Sequence, residues 1–178
     1  DFGGVLEAFQ TLRAVLFAVM MEPILEQYRD RIAPEIVGNI ERGLNISPSQ
    51  IFEAERIRIE LFKRVLDFFE THDFLVCPAA SIAPFPVDQR YITEIDGKPC
   101  ETYIDWFSIT FALTMTACPT ISVPCGFTSE GLPVGVQIMG KPRGEAALLQ
   151  VAKQFEQAIG ISNKLPITPK TNLGNNSE

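Results

Sequence analysis

Apolar positions recur at helical spacing through the first seventy residues, then give way to short apolar runs broken by proline and glycine. Residues 5–21 have helix-forming composition, and positions 14–21 are apolar on every side, so a helix there has to be covered all round. Pro23 stands at an allowed first-turn position and restarts a helix to about Ile32, and Pro34 opens another that ends near Gly43 and Asn45. Ser47-Pro48-Ser49-Gln50 supplies an N-cap, a proline at the first helical position and a glutamine at the third, both ends of a capping box. The helix that follows carries Ile51, Ala54, Leu61, Val65, Phe68 and Phe69 on one side, with Glu60 and Arg64 as an i,i+4 pair on the other. Burying each large apolar side chain contributes about 1.5–3 kcal/mol against about 1 kcal/mol for the cap, so packing decides this helix and the cap sets its start.

Residues 73–77 are a short apolar run ended by Pro78, which predicts a buried strand reached directly from the long helix. Three prolines within 78–90 predict an extended loop. Residues 91–95 and 98–103 flank Asp96-Gly97, the favoured type I′ hairpin turn, with Pro99 confining the second arm to an edge. Residues 106–117 read as a helix, and 120–125 and 133–139 as two strands of a hairpin punctuated by Gly126 and Gly131. Gly144-Glu145 starts a last helix with Ala147, Leu148, Val151, Phe155 and Ile159 on one face, ended by Gly160. These elements predict one domain over 1–162 and a docked arm turning into a loose tail over 163–178.

Composition narrows the class. Of the 178 residues 46% are apolar, enough for a sizeable core, and the net charge of -7 without a basic run excludes an electrostatic surface for nucleic acid or anionic lipid. The charge-free stretch 106–129 is long enough to cross a bilayer, but Pro119, Pro124, Gly126 and eight Ser/Thr hydroxyls exclude a membrane helix there, so no membrane partner is expected. Cys77, Cys100, Cys118 and Cys125 form no metal-ligand spacing with the single histidine, His72, so no metal site is expected. With no secretory pattern at the start, these cysteines read as small buried hydrophobes in a reducing, cytoplasmic setting.

Residues 73–160 carry a family resemblance, in Asp73-Phe-Leu-Val-Cys-Pro78, Cys118-Pro119-Thr-Ile-Ser-Val-Pro124-Cys-Gly126-Phe127, and Gly131-Leu132-Pro133-Val-Gly135-Val-Gln137-Ile-Met-Gly140. Glu145, Leu148-Leu149 and Phe155-Glu156 extend it. Together, in this order and spacing, they resemble the carboxy-terminal part of the amidase-signature family. The resemblance implies an α/β fold, a mixed β-sheet covered by α-helices, incomplete in this chain. Where the family usually has Asn and Gly ahead of the first proline, this chain has Thr114 and Ala117.

The resemblance implies hydrolysis of a carboxylic amide C–N bond through a serine acyl-enzyme, with a second serine and a lysine base upstream of the part resembled. The Gly/Ser-rich loop that would hold those serines does not occur in this sequence, and no lysine matches the base, so no catalytic residue is assigned. Its implied partners are a small-molecule amide and the amino-terminal half of such an enzyme, with a homo-oligomer left open and no cofactor. Alternatives are a non-catalytic interaction module and a portion of the amidase subunit of a tRNA-dependent amidotransferase.

Amide hydrolysis needs an activated nucleophile, an oxyanion site and a proton donor for nitrogen. Ser108, Thr110, Thr114 and Thr116 have no base in view and are expected to bond backward to helix carbonyls. His72 follows the long helix, where an imidazole satisfies terminal carbonyls. Nothing cationic lies near Cys118 or Cys125 to lower a thiol pKa. Phe107 and Phe111, spaced i,i+4, read as core. Trp106, beside Asp105 at the start of its helix, is the candidate substrate-binding residue, with core packing as its alternative.

Overall fold

A computed structural model describes residues 1–161, so the arm and tail expected over 163–178 lie outside the described residues. The first helix, α1 (Val5–Tyr28), runs on through Pro23 instead of restarting there, and only then tightens into a 3-10 turn, Arg29–Arg31. Proline inside a helix leaves the carbonyl four residues back without its donor and costs about 3 kcal/mol. Burial on both sides of it, at Val5 and Ala8 before and Leu25 after, offsets that cost.

The all-round cover expected for 14–21 is not what forms. Ala14 and Ala18 are buried, but Leu16, Val19 and Met20 are 54%, 72% and 64% exposed. The buried side of α1 packs on α2 (Pro34–Leu44), where Leu25, Val37 and Ile40 form a cluster flanked by Phe17 and Met21. Gly43 sits at the closest approach: a Cβ there would lie 2.0 Å from the Ala14 carbonyl oxygen and 2.9 Å from Ala18 Cβ. By length and composition α1 is apolar enough to cross a bilayer, a property that the sequence pattern raised only for 106–129.

Helix α3 (Pro48–Thr71) begins at the expected capping box: Gln50 N donates to Ser47 Oγ at 3.4 Å, and Ser47 N donates to Gln50 Oε1 at 2.9 Å. Its inner face buries Ala54, Leu61, Val65 and Phe69. The Glu60–Arg64 pair is replaced by other contacts, since Arg64 Nε donates to the Asp1 carbonyl at 3.1 Å and the helix ion pairs are Arg56–Glu53 and Arg58–Glu55, both i,i+3.

After α3 come β1 (Phe74–Pro78), the short arms β2 (Glu94–Ile95) and β3 (Lys98–Pro99), α4 (Ser108–Thr114), β4 (Thr120–Phe127), β5 (Pro133–Gly140) and α5 (Glu145–Ile159). The hairpin turn is as expected, with Asp96 at φ +50° and Gly97 at +71°, but its arms pair over two residues each, with Pro99 in the second. The helix expected over 106–117 is shorter, because a 3-10 turn occupies Asp105–Phe107 and α4 stops at Thr114.

β5 lies between β1 and β4, and both pairings are antiparallel. Alternation sends its two faces to different helices. Leu75, Cys77 and Met139 join Val5, Ala8, Leu61 and Leu113 on one side, and Ile121, Val123, Val136 and Ile138 meet Leu148 and Ala152 of α5 on the other. The sheet is thus covered by helices on both faces, which is why its strands read as continuous apolar runs. On α5, Val151 and Phe155 flank the buried pair, whereas Ala147 and Ile159 turn to solvent. Among the described residues β1 and β4 each have one side without a neighbouring strand.

Candidate functional site

The proline-bearing loop after β1 is fixed at its root by three hydrogen bonds, two to β5 and one from α4. Ala79 N donates to the Gly135 carbonyl at 2.9 Å, Thr110 Oγ1 of α4 donates to the Ala79 carbonyl at 3.2 Å, and Gln137 Nε2 donates to the Pro78 carbonyl at 3.0 Å. Gln137 is buried, so its amide is a structural group of the sheet interior that ties β5 to the loop. Gly135 lets the strands close up here, since a Cβ at this position would lie 3.2 Å from the Val123 carbonyl oxygen and 3.3 Å from Ala79 Cβ.

From that root the loop bends toward the 3-10 turn before α4 and leaves an open groove of about 490 Å³. Ile82 and Phe85 of the loop, Trp106, and Pro133 and Val134 at the start of β5 line it. Trp106 is half-buried and meets Phe85 edge to face at 5.4 Å and 87°. Its ring begins an aromatic series into the core: Phe107 lies 5.0 Å away, Phe111 lies 5.9 Å from Phe107, and Phe9 of α1 stacks on Phe111 at 4.0 Å. Phe111 is therefore core, as its spacing predicts, while Phe107 links the core to the groove.

Behind Trp106 lies a polar layer that no sequence motif marks. Asp105 accepts from Thr102 N at 2.8 Å and from Gln10 Nε2 at 3.1 Å, and Gln10 also donates to Thr102 Oγ1 at 2.8 Å. The Trp106 indole donates to the Tyr103 carbonyl at 3.0 Å. The Arg13 guanidinium donates to the Tyr103 hydroxyl and lies over the rings of Phe17 and Tyr103, at 4.4 and 5.3 Å from their centroids. These contacts hold the turn that carries Trp106 against α1.

Three of the four hydroxyls considered as nucleophiles, those of Thr110, Thr114 and Thr116, serve the backbone. Thr116 Oγ1 donates to the Leu113 carbonyl at 2.6 Å and Thr114 Oγ1 to the Thr110 carbonyl at 3.4 Å, both backward as expected, whereas Thr110 bonds across to the loop. His72 closes α3: its Nδ1 lies 3.2 Å from the Phe68 carbonyl and its ring stacks on Phe68 at 4.3 Å. Thr71 Oγ1 is 2.9 Å from that nitrogen but also faces the Phe68 carbonyl, on an exposed helix end outside the groove that Trp106 lines. All four cysteines are free and only part-buried, less enclosed than expected. Burial pushes the Cys77 and Cys118 thiols above their ordinary range, which disfavours the nucleophilic thiolate. Among the described residues, no group of three His, Cys, Asp or Glu side chains converges to hold a metal.

The sequence model of the amidase family matches residues 4–149. The chain is 28% identical over 166 residues to a glutamyl-tRNA(Gln) amidotransferase subunit of Alkaliphilus metalliredigens (strain QYMF), covering 86% of this chain and 31% of that protein. It is 28% identical over 142 residues to an acylamidase of Rhodococcus erythropolis, covering 79% and 30%. A solved bacterial aryl acylamidase of the amidase signature enzymes superposes with a TM-score of 0.78 at 21% identity, over 94% of this chain and 37% of that one. The chain thus spans about a third of the length of these relatives. With the helix-covered sheet in the same arrangement and the family match extending across most of its length, this chain belongs to the amidase family and forms part of the amidase-signature fold.

Proposed function

We propose that this chain forms one wall of the substrate site of an amide C–N hydrolase whose nucleophile and base lie outside it. One observation carries the reading: the loop after β1, the start of β5 and Trp106 meet in a hydrogen-bonded groove that no hydroxyl–base pair of the described residues enters. In the reaction so framed, a serine oxygen attacks the amide carbon, the amine leaves with a proton, and water releases the acid from the acyl-enzyme. The groove supplies position, not protons: it holds the acyl part while the reacting carbonyl faces the residues contributed from elsewhere.

The reading predicts that the 178-residue chain alone hydrolyses no amide and takes no label from a serine-reactive fluorophosphonate. Mass-spectrometric detection of a labelled serine within it would overturn the assignment of the nucleophile elsewhere. A second reading, a portion of an amidotransferase that releases ammonia from glutamine, is favoured by the likeness to the glutamyl-tRNA(Gln) amidotransferase of Alkaliphilus metalliredigens. Here too the chemistry would belong to the assembled enzyme.

A further inference from the structure

Resting on that reading of the groove, we infer that it takes an uncharged, ring-bearing or branched apolar acyl group and rejects the zwitterionic end of an amino-acid amide such as glutamine. The lining is mainly apolar and uncharged. Ile82, Phe85, Trp106, Pro133 and Val134 present hydrocarbon and ring faces, and among the described residues none that lines the groove carries a charge. The polar side chains on the wall are the hydroxyls of Ser81 and Thr128, and Thr128 Oγ1 already accepts from the backbone of Glu130 and Leu132. A volume of about 490 Å³ suits a group of one ring and its substituents, and the edge-to-face pair of Phe85 and Trp106 offers both a ring face and a ring edge to an aromatic guest.

The charged groups beside Trp106, Asp105 and Arg13, do not line the groove. An amino-acid amide needs a carboxylate for its ammonium and a cation for its carboxylate. Asp105, next to Trp106 in sequence, is occupied by Thr102 and Gln10. Arg13 donates through Nη2 to the Tyr103 hydroxyl and lies over Phe17, and its Nη1, buried without a partner, does not line the groove. The indole N–H is committed to the Tyr103 carbonyl. A zwitterion entering the groove would give up its water for a wall with no charge to meet it, a loss that an apolar ring does not incur.

The chain has a single tryptophan, so its emission reports on this groove alone. Titrating the 178-residue chain with benzamide is expected to shift Trp106 emission saturably, with L-glutamine requiring at least tenfold more for the same change. Val134→Arg, at a position already 38% exposed, is expected to weaken benzamide at least tenfold while leaving the circular dichroism unchanged. Glutamine acting at or below the benzamide concentration overturns the substrate class and leaves the groove as a site. Silence toward both compounds, or benzamide binding indifferent to Val134→Arg, overturns the groove reading itself.

Discussion

Ala117 holds φ at +55°, a backbone region that an L side chain rarely adopts. The resembled family usually has glycine at that place, and the structure supplies the reason: the chain must turn left-handed between the end of α4 and Pro119. A side chain there costs about 1–2 kcal/mol, against about 0.5–1 kcal/mol that glycine loses in chain entropy on folding. Ala117→Gly is therefore expected to raise stability by about 0.5–1 kcal/mol, seen as a higher urea midpoint at constant slope. A lower midpoint would mean that Ala117 is unstrained. Trp106 stood out in the sequence as the sole tryptophan beside an aspartate, and His72 as a cap after a long helix. Gln10 and Arg13 did not, because their partners Thr102 and Tyr103 lie 92 and 90 residues further along and no local pattern encodes such pairings.

Among the elements, those closed by local chemistry were legible. The capping box starts α3 at Pro48, and Gly160, at φ +69°, ends α5 one residue after Ile159. Boundaries set by tertiary contacts were not. α4 stops early because Thr116 bonds back to Leu113 while Ala117 reverses the chain, and α1 continues past Pro23 because packing on both sides outweighs the missing hydrogen bond. α2 ends at Leu44 with Asn45 as its cap, as Gly43 and Asn45 predict, but the second role of Gly43, to let α1 cross there, has no local signal. Gly43→Ala would drive a methyl into the Ala14 carbonyl, at a cost of about 3 kcal/mol. In a chain of this size that lowers the melting temperature by about 6–12 °C, and an unchanged melting temperature would contradict the close crossing.

For the molecule as a whole, the order of helices and strands followed from the periodicity and the apolar runs and the fold class from the family resemblance, while the distribution of burial followed from neither. An all-round apolar helix suggests complete cover, but Leu16, Val19 and Met20 stand open on α1, as does Val76 on β1 at 57% exposure. The sheet adds a second kind of openness, because among the described residues β1 has no neighbouring strand along the row of backbone groups on its outer side. Such rows template the addition of further strands, and natural proteins blunt them with charge. β1 carries no charged residue in Phe74–Pro78. At high concentration the isolated chain is therefore expected to aggregate edge to edge, with light scattering that grows more steeply than linearly. Val76→Lys should suppress that growth, since a charge on the edge strand disfavours the pairing of a second copy. If scattering is unchanged, the growing contact lies on another surface. Storage concentration, more than folding stability, then sets how long this chain stays dispersed.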